Sequence, residues 1–71
     1  MQEFKYHARE NGLYLVAYAD RPWDIVARVR KTVEWVTETE TRPVWHAFIT
    51  ETEGRAYGKT RVGALRAALA A

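Results

Sequence analysis

The chain contains no cysteine and no serine. Without cysteine there is no disulfide, no thiolate nucleophile and no Cys-ligated zinc. Without serine the commonest hydroxyl nucleophile is missing too, and no spacing supplies a threonine with the activating base it needs. With two prolines and four glycines, no flexible linker or low-complexity tract divides the chain. No apolar run approaches the roughly 20 residues that span a bilayer. The opening MQEFKYHARE is too polar for a signal peptide, so no membrane association and a cytoplasmic location are expected.

What is present is an ordinary globular mixture: 71 residues, 48% hydrophobic, 13% aromatic and 28% charged, with a formal net charge of +2. A length this short supports one hydrophobic core, so residues 1–71 are expected to form a single domain. Such a domain buries only about 60% of the surface of its unfolded chain. The nine aromatics Phe4, Tyr6, Tyr14, Tyr18, Trp23, Trp35, Trp45, Phe48 and Tyr57 are therefore read first as core. Self-association is the other route to sufficient burial.

Charge is unevenly spread. Residues 1–31 carry a net +2, residues 32–53 a net −4 and residues 54–71 a net +4. An acidic middle followed by a basic end hints at an interaction surface.

Periodicity gives the elements. Phe4, Tyr6 and Ala8 alternate with Lys5, His7 and Arg9, the period of a half-buried strand. Asn11-Gly12 suits a type I′ turn. Leu13 to Ala19 is apolar on both parities, as in a strand covered on both faces. Residues 3–19 thus read as a hairpin. Trp23 to Thr41 fits a helical face through Ile25, Val26, Val29, Val33 and Val36. It also fits a strand whose one parity is Ile25, Ala27, Val29, Val33 and Trp35. The density of β-branched residues favours a strand over about 25–38. Thr39 to Pro43 reads as a turn, Val44 to Thr52 as a strand and Glu53-Gly54-Arg55 as a turn. A short fifth strand over 55–58 stays open.

Thr60 to Ala70 reads as a helix capped by Thr60. Its apolar stripe is Val62, Leu65 and Leu69, joined by Ala68, with Arg61 and Arg66 free to face water. Gly63 is the small residue that would let the helix approach a strand. The expected fold is α+β: an antiparallel sheet of four strands, or five, with one C-terminal helix packed on one face. The second apolar parity of residues 13–19 and 44–49 exceeds what one short helix covers, which predicts a homodimer or a strand-edge partner.

Candidate chemistry is sparse. Gly54-Arg55-Ala56-Tyr57-Gly58-Lys59-Thr60 resembles a phosphate-binding loop but has one residue too few between its glycines. What survives is Lys59 and Thr60 at a helix N-terminus, where an anion is favoured. His7 and His46 are the only histidines, and no spacing makes them a metal pair. No catalytic residue, metal or cofactor is expected.

Two binding readings remain. The first is a small non-enzymatic regulator acting on a protein partner through Trp23, Trp35, Trp45, Tyr14 and Tyr18. The alternative is a nucleic-acid-binding module contacting phosphates through Lys5, Arg9, Arg28, Arg30, Lys59, Arg61 and Arg66. The modest net charge weighs against the alternative.

The tail Trp45-His46-Ala47-Phe48-Ile49, then Gly58-Lys59-Thr60, Ala64-Leu65 and Ala67-Ala68-Leu69, resembles the end of HicB-like antitoxin domains. There a strand pair leads through a Gly-x-Thr turn to an Ala/Leu-rich helix. The resemblance covers about residues 44–70. It implies a sheet-and-helix module that binds a partner protein and self-associates. The same segment is similar to the end of double-stranded RNA-binding domains, with Arg61 as one basic residue of the last helix and Val62 where a second belongs. By fold-level analogy, small accessory proteins of phages and mobile elements share this helix-ended sheet.

Overall fold

The structure, a computed structural model, describes residues 3–71. Five strands precede one helix: β1 (Phe4–Ala8), β2 (Leu13–Tyr18), β3 (Arg21–Trp35), β4 (Thr41–Ile49), β5 (Arg55–Gly58) and α1 (Arg61–Ala70). The strands form one antiparallel sheet in the order of the chain. The fold is α+β with five strands, and the ambiguous segment after Asp20 is a strand. Its β-branched residues lose less side-chain freedom on a pleated surface than in a helix.

Each hairpin turn is fixed differently. In the first, the Leu13 N–H donates to the Glu10 carbonyl at 3.0 Å. Gly12 lies at φ +73 and Asn11 does not share the positive φ. This is not the expected type I′ turn, which needs both. In the β3–β4 tip the Thr37 hydroxyl accepts from the Glu40 N–H at 3.0 Å and the Thr39 N–H at 3.3 Å. In the β4–β5 turn Glu53 takes the left-handed conformation at φ 60, while its N–H donates to the Ile49 carbonyl at 2.8 Å.

Pro43 is not in a turn but inside β4, opposite Val33. The Ile49 N–H donates toward the β5 side, to Gly54, and strand N–H groups alternate. Pro43 therefore points its nitrogen the same way. There β5 has already ended, at Gly58 opposite Trp45, so no ladder bond is lost.

The register between β2 and β3 slips twice. Val16 pairs with Ala27 but Ala17 pairs with Ile25, leaving Val26 as the extra residue of a bulge. Tyr18 then pairs with Arg21, so Pro22, Trp23 and Asp24 loop out. Ile25 consequently does not share a face with Ala27 and Val29, as simple parity had suggested.

The buried cluster is made of Val16, Ala27, Val29, Ala47, Ile49, Ala64, Leu65 and Ala68. None of the nine aromatics belongs to it, contrary to the reading of these residues as the core. Phe4, Tyr6 and Trp45 pack around its margin, and Trp23, Trp35 and Tyr57 are exposed, at 77%, 68% and 67%. Small side chains bring helix and sheet too close for rings between them. Gly58 marks the closest approach, since a Cβ there would stand 2.5 Å from the Ala64 nitrogen. Gly63, expected to serve that purpose, is itself exposed. The buried helical residues are Ala64, Leu65 and Ala68, whereas Val62 and Leu69 are exposed. The expected stripe was thus rotated by part of a turn.

Thr60 caps α1 as its sequence position implied: it is extended, and its hydroxyl accepts from the Gly63 N–H at 2.9 Å. Thr60→Ala is expected to destabilise the fold by about 1 kcal/mol in urea unfolding, because one orphan N–H of the first turn loses its partner.

Candidate nucleic-acid interface

Strand alternation and the observed register sort the side chains into two sets. The core set holds Phe4, Tyr6, Tyr14, Val16, Ala27, Val29, Trp45, Ala47 and Ile49, paired or contiguous across β1 to β4. The alternate positions form a second face. One row runs across all five strands as His7, Leu15, Arg28, Phe48 and Arg55. The next row is Leu13, Arg30, His46 and Tyr57. Lys5, opposite Ala17, lies on the same face, and Arg9 extends the series one position beyond β1.

Both rows are free of carboxylates. Along β3 the first acid on this parity is Glu34, and it is held by Arg42 at 3.2 Å near the hairpin tip. Arg28 and Arg30 are two residues apart on one strand, a separation of about 7 Å. Two such charges repel by roughly 0.6 kcal/mol in water. Each further cation adds to this, and an anion laid over the face would relieve it.

The aromatics of this face serve the arginines. The Arg28 and Arg55 guanidinium carbons stand 5.2 Å and 4.9 Å from the Phe48 ring centroid. Stacking of this kind fixes the guanidinium while its N–H groups can still donate. His46 and Tyr57 rings meet at 4.8 Å. Between the rows lies a shallow depression of about 270 Å³ lined by Leu13, Arg28, Arg30, His46, Phe48 and Arg55. It contains no glutamate beside His46. The His7 Nε2 is buried and has no hydrogen-bond partner among the described residues.

The seven cations singled out from the sequence do not form one surface. Lys5, Arg9, Arg28 and Arg30 fall on the second face or its edge. Arg61 lies across the core side, its guanidinium carbon 4.2 Å from the Tyr6 ring centroid and 4.7 Å from that of Tyr14. It is not free to face water as expected, and its guanidinium covers Tyr6 of β1 and Tyr14 of β2. Burial raises the Tyr6 phenol above its ordinary value, with Arg61 and Arg66 opposing that rise. Arg66 lines a groove between α1 and β1, and Lys59 borders Tyr57 and Arg42. Arg55, omitted from the sequence-derived set, completes the second face. Its parity with Tyr57 was legible once residues 55–58 were taken as a strand.

The aromatic candidates separate as well. Tyr14 and Trp45 pack together at 5.8 Å on the core side. Tyr18 stacks on Phe4 at 5.6 Å, with Arg21 over its ring at 5.0 Å. Trp23 stands out beside the bulged segment and Trp35 near the end of the β3–β4 hairpin. Among the described residues no three His, Asp or Glu side chains converge as a metal site, and no helix is long and apolar enough to cross a membrane. No family model, curated protein or solved structure was found to match the chain.

Proposed function

We propose that this chain is a non-enzymatic binding module whose helix occupies one face of the sheet and whose other face binds nucleic acid through phosphates. The observation that carries this reading is the carboxylate-free array of Lys5, Arg28, Arg30 and Arg55 on one side of the sheet. The modest net charge of +2 argued against it, but a ligand meets the local field rather than the sum. Of the acids of residues 32–53, Glu38 and Glu40 lie in the β3–β4 turn, Glu51 and Glu53 in the β4–β5 turn, and Glu34 is paired to Arg42, so none is a member of either row. Arginines held against Phe48 have less side-chain freedom to lose on binding. Tyr57, exposed at the margin, offers a ring on which a base can stack.

Anisotropy with labelled duplex DNA, single-stranded DNA and RNA tests this. Four phosphate contacts give a log–log salt slope of about −3.6 on B-DNA. Affinity is then expected to fall roughly 100-fold between about 50 and 200 mM salt. No binding at the lower salt, or binding insensitive to salt, refutes the reading.

A protein partner is the second reading, and a different surface favours it. Val33, Trp35 and Val36 stand exposed together toward the end of the β3–β4 hairpin, uncovered by any of the described residues.

A further inference from the structure

The β3–β4 hairpin is an arm. Register pairing continues without a break from Ala27–Ile49 to Trp35–Thr41, well past β5, which pairs only with residues 45–48 of β4. The molecule is accordingly 43 Å long but only 25 by 19 Å across. The arm ends in a turn locked by the Thr37 hydroxyl and by N–H groups of Val36 and Thr37 donating to the Glu40 carbonyl at 2.9 and 3.3 Å. Its apolar residues Val33, Trp35 and Val36 are mounted beside Glu38 and Glu40, with Glu34 already paired to Arg42.

On the core side of the sheet, between β1 and α1, runs an apolar groove of about 570 Å³. Its walls are Phe4, Tyr6, Val62, Leu65 and Leu69, with Arg66 on the helix side and Glu3 on the strand side. It exists because α1 packs through Ala64, Leu65 and Ala68, leaving Val62 and Leu69 uncovered. From Gly54 onward the chain has no acid, so the helical rim is cationic.

We infer that the arm of one molecule docks, through Trp35, into the β1–α1 groove of a second copy of this chain. Arm and groove match in kind: an apolar tip flanked by Glu38 and Glu40, which pair with no cation among the described residues, meets an apolar trough whose helical rim carries Arg66. The arm cannot reach the groove of its own molecule, because continuous pairing holds it straight in the sheet. Two copies can exchange arms reciprocally and close as a dimer, or pass them head to tail and extend. This inference rests on reading the arm as a protein contact and is independent of the nucleic-acid face, which lies on the other side of the sheet.

Sedimentation or light scattering from about 10 to about 500 μM is the test, a range that reveals micromolar self-association. The mass is expected to rise with concentration, less steeply at high salt. Trp35→Ala and Leu69→Gln, both at exposed positions, are each expected to weaken association at least 10-fold while circular dichroism stays unchanged. Mixing the two variants is expected to restore one-to-one pairing, because one contributes an intact groove and the other an intact arm. A merely unfolded variant cannot be rescued in this way. A wild-type chain that stays monomeric throughout overturns the second-copy inference and leaves the arm to another protein. Association that Trp35→Ala does not weaken overturns the reading of the arm itself.

Discussion

Replacing Arg28, Arg30 and Arg55 together by Gln is expected to lower nucleic-acid affinity by between two and three orders of magnitude at about 0.1 M salt. Each phosphate contact contributes a factor of about 8 under those conditions, since the observed constant scales with salt to a power of about −0.9 per contact on duplex DNA. The log–log salt slope should fall by about 2.7 at the same time. The three residues sit in adjacent rows, Arg28 and Arg55 with their heads over Phe48 and Arg30 opposite His46 in the register, so their loss removes the centre of the face rather than its margin. Gln keeps part of the aliphatic stem that shields Leu13, Leu15 and Phe48, which limits the structural cost. Arg66→Gln is the matched control: it removes one cation from the opposite side and should leave both affinity and slope unchanged. Equal losses from Arg66→Gln and from the single variants Arg28→Gln or Arg55→Gln would mean that net charge matters and the face does not.

Gly58→Ala is expected to destabilise the fold by about 2–3 kcal/mol, near the upper end of the usual cost of overpacking. The added Cβ would lie 2.5 Å from the Ala64 nitrogen, 2.9 Å from its Cα and 3.0 Å from the Gly63 carbonyl carbon. These are backbone atoms, so relief requires the helix to lift from the sheet and loosen Ala64, Leu65 and Ala68. A domain of this size has a total stability of about 4–10 kcal/mol. The change should therefore lower the melting temperature by roughly 10–20 °C. Gly63→Ala is the informative companion. Its Cβ would meet only the Thr60 hydroxyl, at 2.9 Å, and helix propensity gains about 1 kcal/mol. Its net effect should stay within about 1 kcal/mol. If the two variants proved equally costly in thermal unfolding, the account of Gly58 as the contact point would be wrong.

Local patterns carried much of this molecule. Alternation at Phe4, Lys5, Tyr6 and His7 determined β1 and, with it, which side of that strand is cationic. The β-branched residues of 25–36 determined a strand where helical spacing also fitted. Thr60 determined the start of α1. These signals are legible because each depends on a residue and its neighbours within one turn or one pleat.

What only the tertiary structure decided is how those faces are used. Parity shows that Leu13–Ala19 has two apolar sides, but not which one the helix takes. That depends on α1 seating Ala64 against Gly58 and Ala68 against Gly54, so the rings at Tyr6 and Trp45 become margin instead of core. Parity also fails across a bulge: Val26 moves Ile25 to the opposite face from Ala27. Arg55, Arg28 and Lys5 are remote in sequence and come to one face only because the sheet aligns their strands in register. Arg61, equally basic, is carried by the helix to the other side, onto two tyrosines. Charge and periodicity along the chain are local quantities, whereas a binding face is the sum of several strands, and the register that adds them up is set by packing.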